Sequence, residues 1–443
     1  MKTKLIALVF GANCKCVLRT WKALIFFASG FQILPINAAL LEDQLTLTAA
    51  IQRSLEQHPS LKVFPLRDAA LQGRQDIAKL KPAYELDVEL ENFMGSGDFK
   101  GLDEAELSVS LSSVIEMGGK REARGGLYAS SRSVLKAQKE VESLELLGEV
   151  TRRFIDVLAA QERVALATEA TELATTTLAA VTARSKAGST PAAEVKRASA
   201  ARAQSHLTLL SEQQQLAFLK VALAVLWGDT TPQNFAASGD LFLFGNDAEF
   251  KPLKDKMQSN PNIQVFSAQE RLKDSEVRLA KTESRSDIRW SVGVRRFQEL
   301  DETALTAGIS IPLFSSKRNT GAVSSVLMSR NEIRFQKDVA LLQMHTQLFR
   351  AFGNRQNAIV SANTLRQEII PSLKDALLET QKAYERGRYS YLDYVAAQRE
   401  LLNARRMVVD AAAAALTYGS EIEQLTAQSL AAAQFSDQSN FKD

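Results

Sequence analysis

The sequence predicts a mainly α-helical chain with β-structure embedded in it: long coiled-coil helices joined to β-hairpins that span a membrane and close into a barrel only where several chains meet. Three observations carry this prediction. The 443-residue chain is written twice, at a period of about 200 residues, which marks an internal structural repeat. Each copy holds two short segments of strict apolar–polar alternation, the period of a strand. Each copy then holds a very long run almost free of helix breakers, the pattern of an extended coil.

Composition and charge narrow the field first. Gly 21 and Pro 10 are few for this length, which favours long elements over many short ones. The formal charge of +3 is uneven: Lys2, Lys4, Lys15, Arg19 and Lys22 all precede residue 38, without an acid among them. Taking those five from 54 leaves 49 basic residues against 51 acidic ones. That slightly acidic remainder has no basic footprint for nucleic acid.

Residues 1–38 read as a secretory signal peptide: a positive region to Lys22, an apolar stretch from Ala23 to Leu34, and Pro35-Ile36-Asn37-Ala38 as the cleavage region. The apolar run is too short for a membrane anchor, which needs ~20 residues. Cys14 and Cys16 both lie inside this segment, so the mature chain is expected to carry no thiol or disulfide. No later stretch reaches the ~18 apolar residues of a spanning helix. A membrane crossing therefore has to use strands.

The first copy is placed at 39–228, an inter-repeat segment at 229–254, the second copy at 255–427 and a polar tail at 428–443. His58-Pro59-Ser60-Leu61-Lys62-Val63-Phe64 matches Asn260-Pro261-Asn262-Ile263-Gln264-Val265-Phe266, and Ala187-Gly188 matches Arg386-Gly387. Between these marks both copies run in one order: short helix, two alternating strands, long helix, glycine break, shorter helix. The inter-repeat segment, with Gly228-Asp229-Thr230-Thr231-Pro232 and Phe242, Phe244 and Phe250, reads as irregular.

The hairpins are placed at 84–112 and 287–312. Leu86, Val88 and Leu90 alternate with Asp87, Glu89 and Glu91; Leu107, Val109 and Leu111 alternate with serines. Ile288, Trp290, Val292 and Val294 alternate with Arg289, Ser291, Gly293 and Arg295; Leu305, Ala307, Ile309 and Ile311 alternate with Thr306, Gly308 and Ser310. Gly95-Ser96-Gly97-Asp98 and Glu299-Leu300-Asp301-Glu302 join the pairs. Each strand thus has one apolar and one polar face. Four strands cannot close a barrel, and open edges cannot sit in lipid, so closure takes several chains. Apolar-out alternation assigns Asp87, Glu89, Glu91, Arg289 and Arg295 to the lumen, a mixed set without clear selectivity. Tyr84, Phe93, Trp290 and Phe297 flank the strands where interfacial aromatics belong. A soluble sheet packed on the helices would alternate in the same way.

The long helices follow, at 120–227 and 318–425 with their shorter partners. Lys120 to Gly188 holds no proline, and Lys317 to Gly387 holds one, Pro371. Seven-residue spacing in Leu127, Val134, Val141, in Leu166, Leu173, Ala180 and in Ile370, Leu377, Tyr384 indicates coiled-coil packing. Such helices are too long for a compact bundle.

No catalytic site is expected. His58, His206 and His345 are isolated, and no metal-ligand spacing or nucleophile elbow is present. The Gly95-Ser96-Gly97 run lacks the strand-to-helix context of a phosphate loop.

With its secretory start, duplicated hairpins and long coils, the chain resembles the TolC-like outer-membrane factor family over residues 45–427. Leu45-Thr46-Leu47-Thr48-Ala49-Ala50-Ile51 before His58-Pro59 is similar to the family's opening. Residues Glu91 to Gly101, the run Glu116-Met117-Gly118-Gly119-Lys120-Arg121, and Gly308-Ile309-Ser310-Ile311-Pro312-Leu313-Phe314 are similar to the cobalt–zinc–cadmium efflux branch. The resemblance implies a homotrimer with a twelve-strand barrel in the outer membrane and a helical tube in the periplasm. It implies a passive duct, without cofactor, fed by a periplasmic adaptor and an inner-membrane transporter of the resistance–nodulation–division class. Drugs are the alternative cargo, and a periplasmic coiled-coil adaptor is the alternative protein.

The resemblance also implies a periplasmic gate at the two glycine breaks: Gly188 and Glu194 in the first copy, Tyr384, Gly387, Tyr389 and Asp393 in the second. Tyr389 stands where the family's best-known member has an arginine that ties the gate shut, and Ala396 where it has a second aspartate. Glu194 and Asp393 equally suit the first turn of a helix, and the sequence leaves both roles open.

Overall fold

A computed structural model of the chain describes residues 43–428 except 232, 246–248, 314–316 and 318. The signal segment with Cys14 and Cys16, Pro232, Phe314 and the tail beyond 428 lie outside the described residues. The first copy runs β1 (Asp43–Thr46), α1 (Leu47–Gln57), α2 (Pro59–Ala78), β2 (Glu85–Glu91), β3 (Glu106–Ile115), α3 (Lys120–Lys186) and α4 (Ala192–Ala224). The strand β4 (Phe235–Ser238) and the helix α5 (Phe250–Lys256) come next. The second copy runs α6 (Pro261–Glu283), β5 (Ile288–Phe297), β6 (Glu302–Ser310), α7 (Thr320–Thr364), α8 (Ile370–Glu385) and α9 (Tyr391–Thr426).

The repeated motif that dates the duplication is a helix start. The His58 ring Nδ1 accepts the Ser60 N–H and Pro59 takes the first turn of α2. Asn260 caps α6 by accepting the Asn262 N–H at 2.8 Å, again with proline following. A cap residue followed by proline fills the orphan donors of a first turn and presets its backbone. Asn260 does more: fully buried, it donates to the Gln424 and Leu425 carbonyls at 2.8 and 3.0 Å, closing the end of α9.

The four long strands form one antiparallel sheet in the order β2-β3-β5-β6, so the two hairpins lie side by side. Register aligns Leu86 with Leu111, Leu111 with Val292 and Val292 with Ala307, one apolar row across the sheet. Directly opposed residues share a face. The apolar face is uncovered: Leu86 is 69%, Val88 64%, Leu305 85% and Ile309 75% exposed. A soluble sheet would have buried this face on its helices. The second turn is tighter than the sequence suggested, because Glu302 already belongs to β6 and pairs with Phe297. Phe297 shares the polar face with Glu106 and Glu302, away from the row that holds Trp290. Tyr84 meets Trp290 edge-on at 6.3 Å on the apolar side.

Helix α3 is unbroken over 67 residues, a span of about 100 Å at 1.5 Å per residue. Its counterpart is interrupted where the sequence suggested continuity: a π-helical turn, Leu365–Ile369, separates α7 from α8. Pro371 follows directly, and a wider turn relieves the clash of its ring with the carbonyl four residues back. The last turn of the first shorter helix, Val225–Trp227, is a tighter 3-10 turn. Heptad register slips near the tip, where Ala180 is exposed and Val181 fully buried.

The segment expected to be irregular is partly ordered. Strand β4 pairs in parallel with β1, Asp43 against Phe235 to Thr46 against Ser238. Gln161 of α3 serves the other edge of β4, donating to the Ala237 carbonyl at 3.1 Å and accepting its N–H at 2.7 Å. Four residues are too few to show a period in sequence, and their partners are far away in the chain. The largest core gathers here, around Leu45, Phe64, Phe154, Leu223, Trp227 and Phe235.

Helices and strands share one lateral order. α2 packs on α3, α3 on α6 and α6 on α7. Since α2 leads into β2, β3 into α3, α6 into β5 and β6 into α7, the helix layer repeats the order of the sheet. Both layers end on the same open edges, α2 with β2 and α7 with β6. Below, α4 packs on α3, α3 on α9, and α9 on α7 and α8.

Candidate functional site

Three regions carry the chemistry: the junction of strands and coils, the polar face of the sheet, and the coil tip. At the junction, Gly118 and Gly119 are both left-handed, with φ of 80° and 77°, a conformation that favours glycine. A Cβ on Gly118 would stand 2.3 Å from the Arg285 side chain. This sharp exit from β3 delivers Lys120, 5% exposed, to Asp287 at 2.7 Å and Glu283 at 3.8 Å. The second Asp287 oxygen accepts the Met117 N–H at 3.0 Å, and Arg124 grips Glu116 through both oxygens at 2.5 and 2.9 Å. The run Glu116 to Arg121 is thus a clamp that fixes the first coil to the second hairpin.

On the polar face, register brings Asp87, Glu89, Glu91, Arg289 and Arg295 to one side of the sheet. It adds Glu85, Glu106 and Glu302, which sequence analysis did not single out. Arg295 bridges Glu106 at 3.0 Å and Glu91 at 3.6 Å and donates to the Ser108 hydroxyl at 2.9 Å. Arg289 pairs with Glu85 at 3.0 Å. Asp87 accepts from Ser112 at 3.1 Å. Six carboxylates share this face with two guanidiniums, and both guanidiniums are already paired. The mixed charge read from sequence is a clear acidic excess once strand neighbours are known.

At the tip, Gly188 and Gly387 both turn left-handed, with φ of 76° and 72°. They end α3 and α8 and let α4 and α9 return. The two breaks lie together, in a cluster of Val181, Ala198, Tyr384, Tyr391 and Tyr394. Tyr384 is 6% exposed and stacks on Tyr394 at 5.4 Å and 6°. Burial pushes the Tyr384 and Tyr391 hydroxyls above their ordinary pKa. Arg184 lies 4.6 Å from the centre of the Tyr384 ring and donates to the Tyr384 and Glu385 carbonyls at 3.0 and 3.3 Å. Sequence analysis missed Arg184; a basic residue in the last turn before Gly188 was its only signal.

The two acids at the tip differ. Asp393 closes a capping box: its carboxylate accepts the Ser390 N–H at 3.0 Å and hydroxyl at 2.7 Å, while its own N–H donates to Ser390 Oγ at 3.3 Å. The Ser390 bonds hold the Asp393 carboxyl below its ordinary pKa. Glu194 sits in the first turn of α4 behind Pro191, without such a box, and is partly exposed. Tyr389 is 53% exposed.

Among the described residues, no group of three or more His, Cys, Asp or Glu could hold a metal ion. None of the described helices is long and apolar enough to cross a membrane.

An uncovered apolar sheet with open edges, continued edge for edge by long coils, defines a channel subunit whose barrel other copies complete. The family model of outer membrane efflux proteins matches residues 50–229. It is 25% identical over 377 residues to the cobalt-zinc-cadmium resistance protein CzcC of Cupriavidus metallidurans, covering 85% of this chain and 88% of that one. It is 24% identical to the nickel and cobalt resistance protein CnrC of the same organism, covering 71% and 76%. The crystal structure of CusC superposes with a TM-score of 0.71 at 16% identity, over 86% of this chain and 91% of that one. The fold is that of solved transmembrane channels such as CusC.

Proposed function

We propose that three copies of this chain form the passive exit duct of a tripartite efflux system for heavy-metal cations. A periplasmic adaptor and an inner-membrane transporter of the resistance–nodulation–division class would feed it and supply the energy. The observation that carries the reading is the uncovered apolar face of β2-β3-β5-β6 between two open edges. Lipid is the solvent such a face requires, and lipid forbids open edges. Joining β6 of one copy to β2 of the next closes the sheet, and the same step sets α7 beside the next copy's α2. Helix α7 carries the matching stripe, Met328, Phe335, Leu342 and Phe349, 60–70% exposed at seven-residue spacing.

The polar face then lines the pore, and its acidic excess favours cations. The left-handed breaks at Gly188 and Gly387, with Glu194, Tyr384, Tyr389 and Asp393, form the periplasmic gate. Likeness to two metal-resistance proteins supports metal cargo over drugs. The test is growth of a deletion strain across divalent metals, silver and common drugs. Metal sensitivity rescued by the intact gene supports the reading; sensitivity to drugs alone moves the duct to another cargo.

A further inference from the structure

We propose that Arg184 is the latch of this channel, a clasp within one chain that holds the two coil tips together and keeps the periplasmic end narrow. The proposal rests on the gate reading above and names the residue that regulates it. The guanidinium is supplied by the last turn of α3.

The geometry of a clasp is complete. Arg184 leaves α3 of the first copy and reaches the end of α8 in the second. Its guanidinium stacks on Tyr384 at 4.6 Å and donates to two carbonyls of the last turn of α8, at 3.0 and 3.3 Å. Both carbonyls lie at the negative end of a helix dipole, where a cation is favoured; the Tyr384 carbonyl also accepts the Gly387 N–H at 2.9 Å. Tyr384 is held in turn by Tyr394 of α9, which stacks on it at 5.4 Å. One side chain therefore joins α3, α8 and, through the tyrosine pair, α9. The contact lies at the level of Gly188 and Gly387, the two points where the coils reverse.

The clasp is also built to release. Its Nε is buried and lacks a hydrogen-bond partner among the described residues. A buried unmet donor opposes the closed arrangement. Parting the tips would give that donor to water and expose the Tyr384–Tyr394 stack. A partner that pulls on either coil has to break this cation–π contact and two hydrogen bonds together with the apolar contacts of Val181, Tyr384 and Tyr394.

The test is single-channel conductance of the purified full-length trimer in planar lipid bilayers. Arg184→Ala should raise conductance severalfold. Arg184→Lys, which keeps the charge but loses the planar fork, should fall between. Tyr384→Leu, which removes the stacking partner and leaves Arg184 its two backbone carbonyls, should raise conductance by less than Arg184→Ala and carries the test if that variant fails to assemble. Conductance at the parental value in Arg184→Ala and Tyr384→Leu would overturn the clasp. A separate arm checks the gate itself: Glu194→Cys, with Cys14 and Cys16 replaced by serine, is treated with a bulky thiol reagent. If modification lowers the current while Arg184→Ala leaves it unchanged, only the clasp fails. If modification has no effect, the narrow point is elsewhere and the gate reading fails with it.

Discussion

Lys120 and Asp287 meet at 2.7 Å across the junction of the two copies, with the ammonium almost wholly buried. The pair ties the start of the first long coil to the start of the second hairpin. Removing one member leaves the other partly buried charge without its partner. Asp287 is 29% exposed, so water would compensate in part. Lys120→Met should cost about 2 kcal/mol of stability, read as a lower midpoint in thermal unfolding of the detergent-solubilised protein. An unchanged midpoint would mean that the Met117 N–H bond to Asp287 holds the junction without the ion pair.

Gly293 is the tightest point in the sheet. A Cβ there would stand 2.6 Å from both the Ser110 Cβ and the Val109 carbonyl. Backbone cannot yield that far without breaking the β3–β5 pairing that unites the hairpins. Gly293→Val should abolish the heat-modifiable oligomer band on denaturing gels, while Gly321→Ala, in open space on α7, should leave it intact.

The α7 stripe predicts a seam between copies. Leu342, 70% exposed in the single chain, would be buried against the next copy. Burying a leucine contributes about 2 kcal/mol, and a carboxylate there reverses the sign. Leu342→Glu should shift the protein from trimer to monomer in sedimentation equilibrium, whereas Glu332→Gln on the same helix should not.

Charge on the polar face should set ion selectivity. Arg295→Gln removes one of its two guanidiniums and frees Glu91 and Glu106. Cation preference, measured as reversal potential in a salt gradient, should therefore rise. Asp87→Asn with Glu89→Gln should lower it. The opposite order would place this face away from the pore.

Asp393 gives the tip a pH dependence whose sign is fixed. Its folded pKa lies below the ordinary 3.8, so its contribution is present above that value and is lost as pH falls through the folded value. Amide exchange at Tyr391–Val395 should accelerate on acidification from about pH 6 to about pH 3, relative to Asp393→Asn, which should respond little.

Much of the fold was legible in local sequence. Alternation at Leu86–Glu91 and Ile288–Arg295 identifies strands because a pleat has a period of two, whatever surrounds it. Gly188 and Gly387 mark the breaks because the left-handed turn that reverses a coil selects glycine. The capping box at Ser390 and Asp393 is equally local, four residues that satisfy one another. Strand β4 was illegible, since its partners are β1 and Gln161, both distant in the chain. Arg184 was illegible for the same reason: its ring, Tyr384, lies 200 positions away.

By itself, the sequence determined the duplication, the order of hairpins and long coils, the strand faces and the need for a shared barrel. Those follow from periodicity and from the rule that lipid tolerates no open edge. Tertiary structure alone decided which charges meet. Strand order set Arg295 between Glu91 and Glu106, turning a mixed row into an acidic one. Coil packing set Arg184 on Tyr384, moving the candidate latch to a position the sequence did not mark. The physical reason is range: backbone periodicity is read over neighbouring residues, whereas ion pairs and ring stacking act between groups that only folding brings within a few ångströms.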